Sequence, residues 1–266
     1  MTNQFQLKLV AFTFGMFVLF AQGCEPEENF PAVSINPWDT VTNYQGLIIP
    51  TDGGSIAFNM SYNYKGEAIV FGSKKYSNAA NDTFTINELK HYLTNVILTK
   101  ADGETLNLGN YNLLDAKVPG SQTFTLKNIP AGNYTKLSFL LAVDSAKNHG
   151  GLQEGALDPA YGMFWTWSTG YIFYRINGGT NAGQNYSFDL GGDENLPDVS
   201  LDLKAYKLKA VNAKLALAMD VNEMFQNPNL FSFKTDGYII HSNIDPAGKK
   251  LADNMKDMVQ ILTLLP

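Results

Sequence analysis

The chain has 266 residues, of which 45% are hydrophobic, with 25 acidic against 19 basic side chains and a formal net charge of −6. That is enough apolar material for one sizeable core, and the acidic balance excludes the basic footprint that nucleic-acid binding requires. A single cysteine, Cys24, excludes an intrachain disulfide, a thiolate metal cage and dithiol redox chemistry.

Residues 1–23 read as a secretory signal: one early positive charge at Lys8, an apolar run from Leu9 to Phe20, then small residues up to Gly23. The run is too short for a comfortable transmembrane span. Its close on Ala21-Gln22-Gly23-Cys24 resembles a bacterial lipoprotein signal, in which the cysteine is acylated; Gln22 stands where a small residue is usual. The acidic residues that follow, Glu25, Glu27 and Glu28, resemble the export tag of surface lipoproteins of Bacteroidetes-type bacteria. The expected location is therefore the outer membrane, with Cys24 as the lipid anchor. Residues 24–40, which contain Pro26, Pro31 and Pro37, read as a tether, and residues 41–266 as one domain.

From Gly54 onward the pattern is one of short strands broken by turn chemistry. Ile56, Phe58, Met60, Tyr62 and Tyr64 alternate with smaller or polar residues, and Tyr64-Lys65-Gly66-Glu67 supplies a turn. The stretch from Phe84 is ambiguous, because Ile86, Leu89 and Leu93 also fit helical spacing; from Tyr92 to Leu98 it reads as extended, with a hairpin signal at Asp102-Gly103. Leu137, Phe139, Leu141 and Val143 recur at period two, as do Val199, Leu201 and Leu203, and then Ala213 to Val221. The last segment changes period. Leu251, Met255, Met258, Val259 and Leu262 fit one helical face, with Asp245-Pro246 as its start. The expected fold is all-β, an antiparallel β-sandwich with a C-terminal accessory helix.

The most unusual stretch runs from Ala142 to Ile176 and holds two of the three tryptophans, Trp165 and Trp167, in an alternating aromatic run. A long loop precedes it, and ordered loops of that length usually carry function. The loop offers Asp144, Asn148, His149, Glu154 and Asp158: oxygen donors that suit calcium, and one imidazole that suits copper. Each also has a plainer reading, since aspartates form turns, loop histidines are commonly solvated and aromatic stripes on strands are commonly core. Asp144, Asn148 and Asp158 form the candidate calcium set. Nucleophilic catalysis finds little to work with: the three histidines lie in unrelated contexts and no serine sits in a Gly-x-Ser-x-Gly elbow. The chain is not expected to be an enzyme.

Three tracts, VDSAKN (143–148), GALDPAYGMFWTWSTGYIF (155–173) and FDLGG (188–192), resemble the MbnP-like copper-binding family. Weaker echoes at 89–104, 126–139 and near the C-terminus extend the likeness over almost the whole mature chain. The resemblance implies copper bound by histidine together with a tryptophan oxidised to kynurenine, the oxidation being done by a diheme cytochrome c peroxidase-like partner. It places Trp165 or Trp167 as the modifiable residue and His149 as a ligand, and puts Asp189 where the family has a second histidine. The alternative is a surface-exposed module without metal, its aromatics structural, that recognises a glycan or another envelope protein.

Overall fold

The computed structural model describes residues 53–166, 168–204, 212–242 and 244–265. Cys24, the signal, the tether and Trp167 lie outside the described residues. In chain order the elements are β1 (Gly54–Tyr64), β2 (Glu67–Ala68), β3 (Tyr76–Ser77), β4 (Thr83–Phe84), β5 (Glu88–Lys100), β6 (Thr105–Asn107), β7 (Tyr111–Asp115), β8 (Thr123–Ile129) and β9 (Tyr134–Leu140). There follow α1 (Ser145–Asn148), β10 (Phe164–Thr166), β11 (Gly170–Gly179), β12 (Asn185–Gly191), β13 (Asp198–Asp202), β14 (Ala213–Asp220), α2 (Phe233–Asp236), β15 (Ile239–Ile240), α3 (Pro246–Asn254) and β16 (Val259–Leu265).

Two sheets face each other. One runs β16-β14-β1-β2 with β8 also on β1; the other runs β13-β9-β5-β11-β12-β15 with β6 and β7 on β5 and β10 on β11. The alternating residues of β1 explain the packing: Ile56, Phe58 and Met60 point inward and join Leu89, Leu93, Tyr174, Ile176 and Phe188 of the larger sheet in one core. Most pairings are antiparallel, as expected, but β1 with β14 and β12 with β15 are parallel. The ambiguous stretch before Tyr92 resolves as strand, since β5 begins at Glu88. Lys65 and Gly66 both have positive φ, 54° and 79°, which is the backbone a two-residue hairpin turn needs.

Strand β11 is buried on both faces at its start, unlike a half-wet strand. The long loop explains this: Ala142, Val143, Leu157 and Met163 fold back over the outer face and form a second small core with Tyr92, Tyr171, Ile172 and Phe173. The loop is therefore ordered by apolar burial. Trp165 packs against the edge of that cluster.

The C-terminus corrects the sequence expectation in part. Asp245 caps α3 through the Ala247 amide at 2.8 Å, and Leu251 and Met255 are buried as the helical spacing required. The helix ends at Asn254, whose buried amide donates to the carbonyls of Met224 at 2.9 Å and Asn229 at 2.7 Å. After one 3-10 turn, Val259 and Leu262 lie on β16, paired antiparallel with β14, and not on a helix. The uncharged, β-prone run VQILTLL meets an open sheet edge there, and ladder hydrogen bonds override the helical spacing.

Candidate functional site

Near the carboxyl end of β12 lie Asn148 and His149 of the loop, Trp165 of β10 and Asp189 of the strand itself. Phe188 and Leu190 point into the main core, so Asp189 and Gly191 face the other way, toward the loop. A Cβ on Gly191 would lie 2.8 Å from Cζ3 of Trp165 and 2.4 Å from the Tyr171 carbonyl oxygen. The glycine is thus the seat on which the indole rests. Trp165 reaches it from β10, which pairs with the start of β11.

Just beyond Gly192, Asp193 receives three side chains from α1 and its cap. The Ser145 hydroxyl donates to Oδ2, the Asn148 amide donates to Oδ1 at 3.1 Å, and His149 Nε2 lies 3.1 Å from Oδ2. Partial burial works to raise the Asp193 pKa, but these hydrogen bonds and the nearby imidazole outweigh it and hold the carboxyl below the ordinary aspartate value. His149 is the C-cap of α1 and its side chain is 53% exposed, so the imidazole opens to solvent.

Asn148 ties this corner to the sheet. Its side chain is buried, and Oδ1 accepts the Tyr171 amide at 2.8 Å. A Cβ on Gly170 would sit 2.1 Å from that oxygen, and the residue's φ is +76°, so only glycine fits.

Asp189 is placed differently from the expected ligand. Its carboxylate is buried, and Arg175, directly opposite on β11, donates from Nε to Oδ1 at 2.6 Å and from Nη2 to Oδ2 at 2.8 Å. Both oxygens are occupied by a guanidinium, and a cation next to that guanidinium would be repelled. On the outer side His241 Nδ1 approaches Asp189 Oδ2 at 3.8 Å, and His241 Nε2 lies 3.0 Å from the Ser187 hydroxyl.

The candidate calcium set is engaged by the protein's own donors. Asp144 caps α1 through the Lys147 amide and accepts from Asn95 at 2.9 Å and from the Tyr111 hydroxyl. Asp158 caps the 3-10 turn Pro159–Tyr161 through the Ala160 amide at 2.8 Å. Asn148 is engaged as described. The three are turn and cap formers, and among the described residues no group of three or more His, Cys, Asp or Glu side chains could hold a metal ion.

Copper fits the donors at this strand end in part. An imidazole nitrogen and a carboxylate 3.1 Å apart, both reachable from solvent, suit the N,O preference of Cu(II) and leave further positions open. Sequence reasoning missed Asp193, which reads as a turn residue, and also Arg175 and His241. The Arg175–Asp189 pair was recoverable: the two residues are equidistant from Ala182, the centre of the loop between β11 and β12.

The fold and this strand end define a β-sandwich domain with an accessible imidazole–carboxylate pair, whose aspartate lies two residues past the glycine on which an indole rests. A family model described as MbnP matches residues 53–242, more than half of the chain, and the chain belongs to the MbnP family. Membership carries copper binding as a property of the family. Among solved structures, MbnP from Methylosinus trichosporium is 15% identical, with 67% of this chain and 79% of that chain covered and a TM-score of 0.45. A search of curated proteins finds no match.

Proposed function

We propose that this is a copper-binding protein of the cell envelope, tethered to the outer membrane through an acylated Cys24. His149 is the nitrogen donor, Asp193 the adjacent carboxylate, and Trp165, with Trp167 as its alternative, the residue that a diheme cytochrome c peroxidase-like partner oxidises to kynurenine. The observation that carries the reading is the pairing of His149 Nε2 with Asp193 Oδ2 at 3.1 Å, two residues past the glycine on which Trp165 rests. Bound copper would supply a redox-capable cation. The chain's own part is to hold the imbalance of charge: Asp193 stays ionised, and the buried Asn148 amide fixes its direction.

Isothermal titration of the purified protein with Cu(II) tests this. One equivalent binds, and both His149→Ala and Asp193→Asn weaken it, the first on the order of tenfold or more. Equal affinity in His149→Ala would end the reading. Peptide mapping of protein made alongside its heme partner tests the modification: kynurenine in the 155–173 tract supports it, and two intact tryptophans there oppose it.

A second reading, recognition of a glycan, draws on a cavity of ≈ 440 Å³ between β7, β8 and the long loop. Tyr111, Tyr161 and Phe124 supply aromatic surface, and Asn112, Asp115 and Lys90 supply polar groups. Lys90 is already paired with Glu88 at 3.1 Å and Asp115 at 3.6 Å, so the cavity suits a neutral ligand. Saturable binding of neutral oligosaccharides lost in Tyr161→Ala would favour this over copper.

A further inference from the structure

A phenol–imidazole pair in the main core takes no part in the reading above. Tyr62 of β1 and His91 of β5 meet across the two sheets, both buried, with the Tyr62 hydroxyl 2.9 Å from His91 Nε2. The other ring nitrogen, Nδ1, lies 3.1 Å from the Tyr92 carbonyl oxygen. A carbonyl only accepts, so Nδ1 carries the proton of the neutral ring and Nε2 turns its lone pair to the phenol. Burial holds the imidazole pKa down at about 4, which leaves the ring unprotonated at pH 7, and pushes the Tyr62 phenol well above its ordinary value.

A buried phenol gives up an electron readily only when its proton passes to a base in the same step, because an uncompensated positive charge is costly in the core. Tyr62 has that base and its neighbours do not. The Tyr171 hydroxyl donates to the Leu157 carbonyl at 2.8 Å, Tyr174 donates to the Met219 sulfur at 3.9 Å, and the Tyr92 hydroxyl has no hydrogen-bond partner among the described residues. Aromatic rings also connect the pair to a half-buried indole. Cζ3 of Trp165 and the Tyr171 carbonyl oxygen close on the same Cβ position of Gly191, at 2.8 and 2.4 Å. The Tyr171 ring meets Tyr92 edge-on at 6.0 Å between centroids, and Tyr92 adjoins His91 in the chain.

We infer that Tyr62 is a redox-active tyrosine, proton-coupled to His91, that draws an oxidising equivalent away from Trp165. The inference rests on the reading above at one point, that a high-valent heme takes an electron from this indole. The Trp165 radical then takes an electron from Tyr62, and the phenolic proton crosses to His91 Nε2. The products are an intact Trp165, a neutral tyrosyl radical and an imidazolium whose Nδ1–H keeps the Tyr92 carbonyl. A neutral tyrosyl radical is a weaker oxidant than an indole radical cation, so the transfer runs downhill. Reduction by an external one-electron donor returns the proton to Tyr62. Enclosed between the sheets, the radical is kept from coupling with another.

Flash oxidation of the metal-free protein by a photogenerated ruthenium(III) polypyridyl complex, read by freeze-quench electron paramagnetic resonance, tests this without heme or copper. Wild type shows a long-lived tyrosyl radical, and electron-nuclear double resonance finds an exchangeable proton hydrogen-bonded to its oxygen. Tyr62→Phe abolishes the signal and Tyr92→Phe keeps it. His91→Gln slows its formation on the order of a hundredfold, and Trp165→Phe lowers its yield. No long-lived tyrosyl radical in wild type, a radical without the exchangeable proton, an equal signal in Tyr62→Phe or an undiminished yield in Trp165→Phe overturns the inference. Kynurenine in the 155–173 tract of a protein that forms no Tyr62 radical overturns it alone and keeps the reading above.

Discussion

Arg175 and Asp189 face each other across β11 and β12, and the guanidinium takes both oxygens of the buried carboxylate at 2.6 and 2.8 Å. The site is thus organised by an ion pair that has no place for a metal between its members. Arg175 also donates from Nη1 to the Gly162 carbonyl at 3.1 Å, which ties the end of the long loop to the sheet.

Removing Arg175 leaves the buried Asp189 carboxylate unpaired, at a cost of about 3 kcal/mol or more, whereas removing Asp189 leaves a guanidinium that is partly exposed. Arg175→Met should lower stability in urea unfolding by about that amount and Asp189→Asn by less, and the apolar double variant Arg175→Met/Asp189→Leu should recover most of the loss. Additive losses in the double-mutant cycle would show that the two residues act separately.

Gly191 is the seat of Trp165. Adding a methyl group there meets the ring at 2.8 Å and the Tyr171 carbonyl at 2.4 Å, so Gly191→Ala should cost about 1–3 kcal/mol and push the indole outward. In a background lacking Trp38 and Trp167, the emission of Trp165 should shift to the red. An unchanged spectrum would mean that the ring does not rest on the glycine.

Asn148 joins α1 to β11 and to Asp193. Asn148→Ala leaves the Tyr171 amide without its partner, a loss of about 1–3 kcal/mol, and frees the Asp193 carboxylate to reorient. Copper affinity should fall in this variant even where His149 is intact. Undiminished affinity would show that the Asn148 bridge does not position the donors.

His91 supplies a pH dependence of its own. It lies in the main core, where Nε2 meets the Tyr62 hydroxyl at 2.9 Å and Nδ1 the Tyr92 carbonyl at 3.1 Å. Burial drives its pKa down from 6.5 to about 4, against a smaller opposing pull from the Tyr92 carbonyl. The folded state holds the ring neutral while the unfolded chain takes a proton near pH 6.5. The stability from this residue is whole above that pH and is lost as the pH falls toward 4, by about 3 kcal/mol in all. Unfolding at pH 7 and pH 4.5 should show the slope, and His91→Gln should flatten it.

The strands were legible because one face of each is wet or lies against the loop, so Ile56 to Tyr64 and Leu137 to Phe139 alternate cleanly. The end of the chain was not, because the spacing of Leu251, Met255, Met258 and Val259 serves a helix followed by a strand as well as a longer helix. Only the open edge of β14 decides between them, and an edge is a tertiary fact. The parallel pairing of β12 with β15 was equally hidden, since no local signal in Ile239-Ile240 names its partner.

At the site, His149 and Trp165 were legible as rare residues in an ordered loop, and the structure brings both to the end of β12. Asp189 entered the site because the resemblance puts it where the family has a second histidine, and the sequence does not show Arg175 across the ladder. Asp193 and His241 were missed for the same reason: each gains its meaning from a neighbour distant in sequence, α1 for Asp193 and β12 for His241. The calcium set failed because turn aspartates and ligand aspartates look alike until their backbone partners are known.

The most direct measurement is anomalous diffraction at the copper edge from crystals of the purified protein grown with Cu(II). A single peak within coordination distance of His149 Nε2, beside the Trp165 ring and bounded by Asp193, is the expected result. A peak elsewhere on the surface, or none at copper concentrations that saturate binding in solution, would contradict the placement of copper at the end of β12.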